Sequence, residues 1–181
     1  MKKITMLLCG FFLLLLSGCD DVNNTPTKQV ESMFNKYQTL DEEVLDDLDR
    51  IISEEIVFDT TARDEYRKLI KEQYQNLVYK IKDEVIDGDT AKVRVEITVT
   101  DYSKIIAEAE NYKNNNISEF TDENGKYQVS KYSNYVIKQL KNAKDKVKYT
   151  VEILLTKIND KWKLNDISEE TEDKILGIYE Y

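Results

Sequence analysis

Thr90-Ala91-Lys92-Val93-Arg94-Val95-Glu96-Ile97-Thr98-Val99-Thr100 alternates without interruption. Ala91, Val93, Val95, Ile97 and Val99 share one face, and Lys92, Arg94, Glu96 and Thr98 the other. A period of two with one apolar face marks a strand that buries one side and wets the other, as antiparallel sheets do. Val78 to Ile86 precedes it as a second strand-like run, across a turn at Asp87-Gly88-Asp89, so the pair predicts a β-hairpin. The same period returns downstream. Val147, Tyr149, Val151, Ile153 and Leu155 alternate with Lys148, Thr150, Glu152 and Leu154. Asn159-Asp160 turns the chain, and Trp162 and Leu164 continue the alternation in a short return strand.

Outside the hairpins the period becomes helical. Thr25-Pro26 reads as an N-cap followed by proline at the first helical position. Val30, Met33, Phe34 and Tyr37 then carry a first amphipathic helix to about Leu40. Val44, Leu45, Leu48, Ile51 and Ile52 predict a second from Asp41 to Glu55, and Tyr66, Leu69, Ile70 and Tyr74 a third from Ala62 to Asn76. Ile56-Val57-Phe58 between them reads as a small strand. Tyr102 to Tyr112 is helical, Lys113 to Tyr127 reads as a polar loop turning at Glu123-Asn124-Gly125, and Tyr132 to Lys144 is helical again. Ser168 caps a last acidic helix carrying Ile175, Leu176, Ile178 and Tyr179. The expected fold is therefore α+β: N-terminal helices packed on a curved antiparallel sheet, with a helical insertion between two β-hairpins.

The beginning of the chain has a different character. Lys2 and Lys3 form a positive segment, Ile4 to Leu16 is uncharged and apolar, and Ser17 and Gly18 are small. That is the layout of a secretory signal, and the apolar run is shorter than the ~20 residues a membrane span requires. Leu16-Ser17-Gly18-Cys19 resembles the bacterial lipobox. The resemblance implies cleavage after Gly18 and a diacylglyceryl thioether on Cys19. The expected organisation is a signal peptide over residues 1–18, a tether over 19–26 and a single α+β domain over 27–181. It places the protein on the extracytoplasmic face of the cell membrane, held there by the lipid on Cys19. Richness in Lys, Asn, Ile and Tyr with one proline suggests a Gram-positive source.

Removing 18 of the 181 residues leaves 163, enough to bury about two-thirds of the unfolded surface. The leader holds two lysines and no acid, so 24 basic and 35 acidic residues remain and the net charge becomes −11. That balance opposes nucleic-acid binding, which requires a basic surface. The chain has no histidine, and its other cysteine, Cys9, leaves with the leader. A domain so composed lacks Ser–His–Asp chemistry, a histidine general base, a disulfide and a cysteine zinc site. No cofactor and no metal are expected.

The order of helices, long hairpin, and a second hairpin closing on Asn159-Asp160-Lys161-Trp162-Lys163-Leu164 resembles the cone-shaped nuclear transport factor 2-like, or cystatin-like, α+β domains. The resemblance covers Thr25 to Ile167. It implies a curved sheet wrapped on helices around a concave cavity, and no particular activity. The insertion from Tyr102 to Lys144 is longer than a plain cone needs, and could cover the cavity mouth or serve a partner.

Four side-chain groups are candidates for chemistry. Asp41 to Glu65 holds eleven acids against Arg50 and Arg63, which reads as a solvated helix face, with a cation site as the alternative. Seven lysines between Lys126 and Lys148 read as solvated or paired with those acids, with anionic lipid as the alternative. Tyr37, Tyr66, Tyr74, Tyr79, Tyr132 and Tyr149 read as core, with a ligand pocket as the alternative. Asp101 beside Tyr102 is the nearest approach to an acid–base pair. The expected role is a non-catalytic module binding a small molecule, peptide or envelope protein. The alternatives are a cone-fold enzyme using buried carboxylate and tyrosine, and a structural accessory of an envelope complex.

Overall fold

A computed structural model describes residues 24–54 and 58–180. In chain order the elements are α1 (Pro26–Thr39), α2 (Glu42–Glu54), α3 (Thr60–Gln75), β1 (Val78–Asp87), β2 (Thr90–Thr100), α4 (Tyr102–Asn115), α5 (Val129–Lys141), β3 (Lys146–Ile158), β4 (Lys161–Leu164) and α6 (Glu169–Leu176). The strands form one antiparallel sheet in the order β1-β2-β3-β4, and α4 and α5 lie in the connection between the two hairpins. The α+β class and the helical insertion are as the sequence predicts. The leader, Gly18, Cys19, tether residues 19–23, and Ile56 and Val57 of the expected small strand lie outside the described residues.

Local chemistry sets the element ends. Thr25 accepts a hydrogen bond from the Lys28 amide at 3.2 Å and Pro26 opens α1, while Leu40 closes it in the left-handed region at φ 55°. Asn159 and Asp160 have consecutive positive φ angles of 52° and 60°, which match the two-residue hairpin turn whose twist suits a sheet. Two boundaries differ from the sequence reading. The expected loop from Lys113 starts as helix, since α4 runs to Asn115, and a 3₁₀ turn at Ile117–Phe120 follows, because Phe120 is buried among the insertion's tyrosines. Helix α6 ends at Leu176, because Gly177 turns left-handed at φ 77°, and so Ile178 and Tyr179 lie beyond it.

The inner face of the sheet is the core. Val93, Val95 and Ile97 of β2 pair with Ile153, Val151 and Tyr149 of β3, and all six side chains are buried. Each such side chain contributes roughly 1.5–3 kcal/mol by leaving water. Helix α1 lies lengthwise along this face. Gln38 near its C-terminus donates to the Leu77 carbonyl at 2.7 Å, where β1 begins. Its N-terminus reaches the opposite end of the sheet and touches both edges. A register shift in β1 between Ile81 and Asp83 moves Glu84 opposite Val93, on the inner side. The Glu84 carboxylate there accepts from the Thr27 amide at 2.8 Å and the Thr27 hydroxyl at 2.7 Å, capping α1 with negative charge. On the other edge, the Asn24 amide accepts from Trp162 N–H at 2.6 Å and donates to Trp162 C=O at 3.3 Å. One helix end can meet both edges only because the sheet curls around it.

Candidate functional site

Among the described residues, aromatic rings pack against the concave face. Phe34 stacks on Tyr79 at 4.7 Å, Tyr37 meets Tyr74 edge-on at 4.9 Å, and Tyr149 meets Tyr179 at 5.8 Å. These rings fill the space that the cone resemblance assigns to a cavity. Burial pushes the Tyr37 and Tyr74 hydroxyls well above the usual phenol range, with nearby carboxylates acting in the same direction. Held neutral at physiological pH, they act as core, as their helical spacing suggests.

One surface cleft is an open groove of about 400 Å³ between α1, α2 and the β4–α6 connection. Its floor includes Met33, Tyr37 and Val44, and its walls carry opposed charges. Lys36 binds Glu43 at 2.5 Å, whereas Arg50 stands 3.7 Å from both Asp47 and Glu172. At that separation Arg50 is ion-paired with both carboxylates without a direct hydrogen bond to either. Partial burial raises the Glu172 carboxyl above its ordinary value, Arg50 opposes the shift, and Asp47 adds to it.

The other sequence candidates fall elsewhere. Asp101 is the N-cap of α4, accepting from the Lys104 amide at 3.2 Å and the Ser103 hydroxyl at 2.9 Å. Tyr102 beside it is buried, so the two serve as cap and core side chain. The acids of residues 41–65 are spread over three roles. Asp59 caps α3, Asp49 binds Arg67 at 2.5 Å and 2.8 Å, and Glu65 binds Lys141 at 2.5 Å and Lys68 at 2.6 Å. The two lysines hold the Glu65 carboxyl down at about 2. Among the described residues no group of three or more acids is arranged to hold a metal. The lysine run is dispersed likewise: Lys131 donates to the Thr121 carbonyl at 2.5 Å and Lys146 to the Thr100 hydroxyl at 3.0 Å.

The insertion has its own aromatic cluster. Tyr112 stacks on Tyr135 at 4.9 Å, Phe120 meets Tyr132 and Tyr135 edge-on at 5.4 Å and 5.6 Å, and Lys113 sits 4.7 Å over the Tyr132 ring. Tyr132 donates to Glu110 at 3.0 Å. Tyr112, Ile117, Tyr127 and Val129 are exposed. Sequence reasoning named Tyr132 and the insertion but not the ring partners, and it missed the groove, whose walls come from segments distant in the chain.

No protein-family model matches the chain, and no curated protein does. Among solved structures, it is similar to the crystal structure of a candidate lipoprotein, ycdA, from Bacillus subtilis subsp. subtilis str. 168. The two are 18% identical, with a TM-score of 0.43 and 91% of this chain covered. The chain spans about half of that structure, 51% of its length. No described helix is long and apolar enough to cross a membrane.

Proposed function

We propose that this chain is a lipoprotein held on the extracytoplasmic face of the cell membrane by a diacylglyceryl group on Cys19, and that residues 27–181 form a single non-catalytic binding domain. The positive start, the apolar run and Leu16-Ser17-Gly18-Cys19 support the anchor. Two acyl chains give durable attachment where one is marginal, at about 0.8 kcal/mol per buried methylene. One observation carries the binding role: the concave face is packed with aromatic rings, so recognition falls to the surface, where Arg50, Lys36, Asp47 and Glu172 line the groove. Opposed charges in one open cleft suit a zwitterion or a short peptide better than an apolar ligand.

Metabolic labelling with an alkynyl fatty acid tests the anchor. Wild type takes the label, and Cys19→Ala loses it and leaves the membrane fraction. A variant as firmly membrane-bound as wild type refutes the anchor. Amino acids and dipeptides screened by thermal shift test the groove: a hit stabilises wild type and fails to stabilise Arg50→Gln. The half-exposed rings of the insertion favour a second reading, a structural accessory of an envelope complex that docks through α4 and α5.

A further inference from the structure

The outer face of the sheet departs in charge from the rest of the chain. By strand register its outward positions hold eight cations against four anions, on a protein of net charge −9. Three pairs tie up part of each set: Lys82–Glu96 at 2.9 Å, Lys92–Glu152 at 2.7 Å, and Arg94–Asp83. No described carboxylate lies within ion-pair distance of Lys80, Lys148, Lys161 or Lys163. Between them stand Val78, Val85, Leu154 and Ile158, which are 62%, 58%, 49% and 45% exposed. Basic and apolar groups interleaved on one flat surface suit the boundary between phosphate headgroups and acyl chains.

Chain length brings that face to the boundary. Asn24 is bonded to Trp162 of β4, and five residue steps separate it from Cys19. At ~3.3–3.6 Å per residue the anchor lies at most about 18 Å from the sheet edge. The chain leaves beside the two hairpin turns, which are joined where Lys157 N–H donates to the Asp89 carbonyl at 2.7 Å. The insertion begins and ends at the other end of the sheet, where Thr100 pairs with Lys146. Ten residues of β2 separate the two ends, about 33 Å at ~3.3 Å per residue. Lys161 and Lys163 lie at the anchored end and Lys80 and Lys148 toward the insertion, so all four meet the headgroups together only when the sheet lies flat on them.

We infer that the outer face of the β-sheet docks on the headgroups of an anionic bilayer, laying the anchored domain on its sheet with the helices away from the lipid. This rests on the anchor reading for its location, and the test supplies the anchor chemically. Every core residue of the described fold lies between Val30 and Leu176, so the chain from Cys19 onward retains the whole core. Its Cys19 thiol is coupled to maleimide-headgroup lipid in vesicles with or without phosphatidylglycerol. An acylating reagent and mass spectrometry then read each lysine. The expected result is several-fold slower acylation of Lys80, Lys148, Lys161 and Lys163 on anionic vesicles than on neutral ones. Lys68 and Lys138 on the helices should be unchanged, and high salt should erase the difference. The triple variant Lys80→Glu, Lys148→Glu, Lys163→Glu should abolish protection of Lys161. Equal acylation on both vesicle types, or protection confined to Lys126–Lys144, overturns the proposal. Failure of Cys19→Ala to release the full chain from cells overturns the natural anchor and leaves this result independent of it.

Discussion

Replacing Gln73 by leucine tests how three elements are held together. Gln73 is buried in the last turn of α3. Its Oε1 accepts from the Thr100 amide at 2.8 Å, and its Nε2 donates to the Leu176 carbonyl at 2.7 Å. One side chain thus joins α3, the end of β2 and the end of α6. Gln73→Leu keeps the volume and removes both partners, stranding a buried N–H and a buried C=O. Each stranded group costs about 1–3 kcal/mol. Greater apolar burial of leucine offsets about 1–2 kcal/mol. The net loss should be about 2–3 kcal/mol, read as a lowered urea midpoint with unchanged slope. Gln73→Glu adds a sign. A protonated carboxyl can donate to Leu176 and accept from Thr100, whereas the ionised form cannot donate. The folded state therefore holds the proton more tightly than the unfolded chain, whose glutamate titrates near ~4.3. The variant should be closest to wild type below that pH and lose stability as pH rises through its folded value. A loss below about 0.5 kcal/mol for leucine, or a glutamate deficit that ignores pH, would refute the bridge.

Other perturbations separate local causes. At Gly177, a Cβ would lie 2.2 Å from the Thr100 carbonyl oxygen and 2.5 Å from Gln73 Nε2, whereas at Gly88, also at positive φ, it would meet nothing within 4 Å. Gly177→Ala should therefore cost about 2–4 kcal/mol and Gly88→Ala about 1 kcal/mol in equilibrium unfolding. Glu84→Ala removes the acid across the α1 N-terminus and should cost about 1 kcal/mol by the same measurement. Glu65, held down at about 2, contributes stability above the ordinary carboxylate range that is lost as pH falls toward 2. Lys141→Met should raise its titration midpoint by NMR. Glu172→Gln removes a carboxylate whose ionisation burial opposes, and should stabilise at neutral pH by a few tenths of a kcal/mol, the gain fading in acid.

What the sequence shows and what it hides divide by range of interaction. Both hairpins are legible because a half-buried strand repeats every two residues, and the Asn159-Asp160 turn because left-handed pairs favour those types. The Thr25-Pro26 start of α1 is legible for the same local reason. The shift in β1 is not. Strict alternation from Tyr79 and Ile81 would put Asp83 and Val85 inside, yet past the shift Glu84 takes the inner place and Val85 is 58% exposed. Nothing local in Lys82-Asp83-Glu84 says that a helix N-terminus 57 positions away will hold the glutamate. The α1–α2 groove is hidden likewise, since its walls come from residues 29–50 and 164–172. The Tyr-rich positions are legible as apolar-face residues, but only packing shows which rings they meet.

The lysines teach the same lesson in reverse. Along the chain, the dense run is Lys126 to Lys148, and proximity in sequence makes it look like one basic patch. Folding disperses it: Lys141 is bound to Glu65, Lys131 to a backbone carbonyl, and Lys146 and Lys148 join Lys80 and Lys163 on the outer face of the sheet. Lys80, Lys148 and Lys163 are 15 to 83 residues apart in sequence and share one face of the sheet only through strand register. A basic face on an acidic protein therefore needs no basic segment. Alternation supplies it, because each strand that buries valine and isoleucine inward must send its intervening residues outward. On an untethered chain such a face would hold a bilayer weakly, since a few lysines each contribute only about 1 kcal/mol. The lipid proposed on Cys19, within about 18 Å of the sheet edge, would change that by raising the local concentration of headgroups rather than the strength of any contact. The free chain with Cys19→Ala should accordingly show little binding to the same anionic vesicles on which the coupled chain protects its outer lysines.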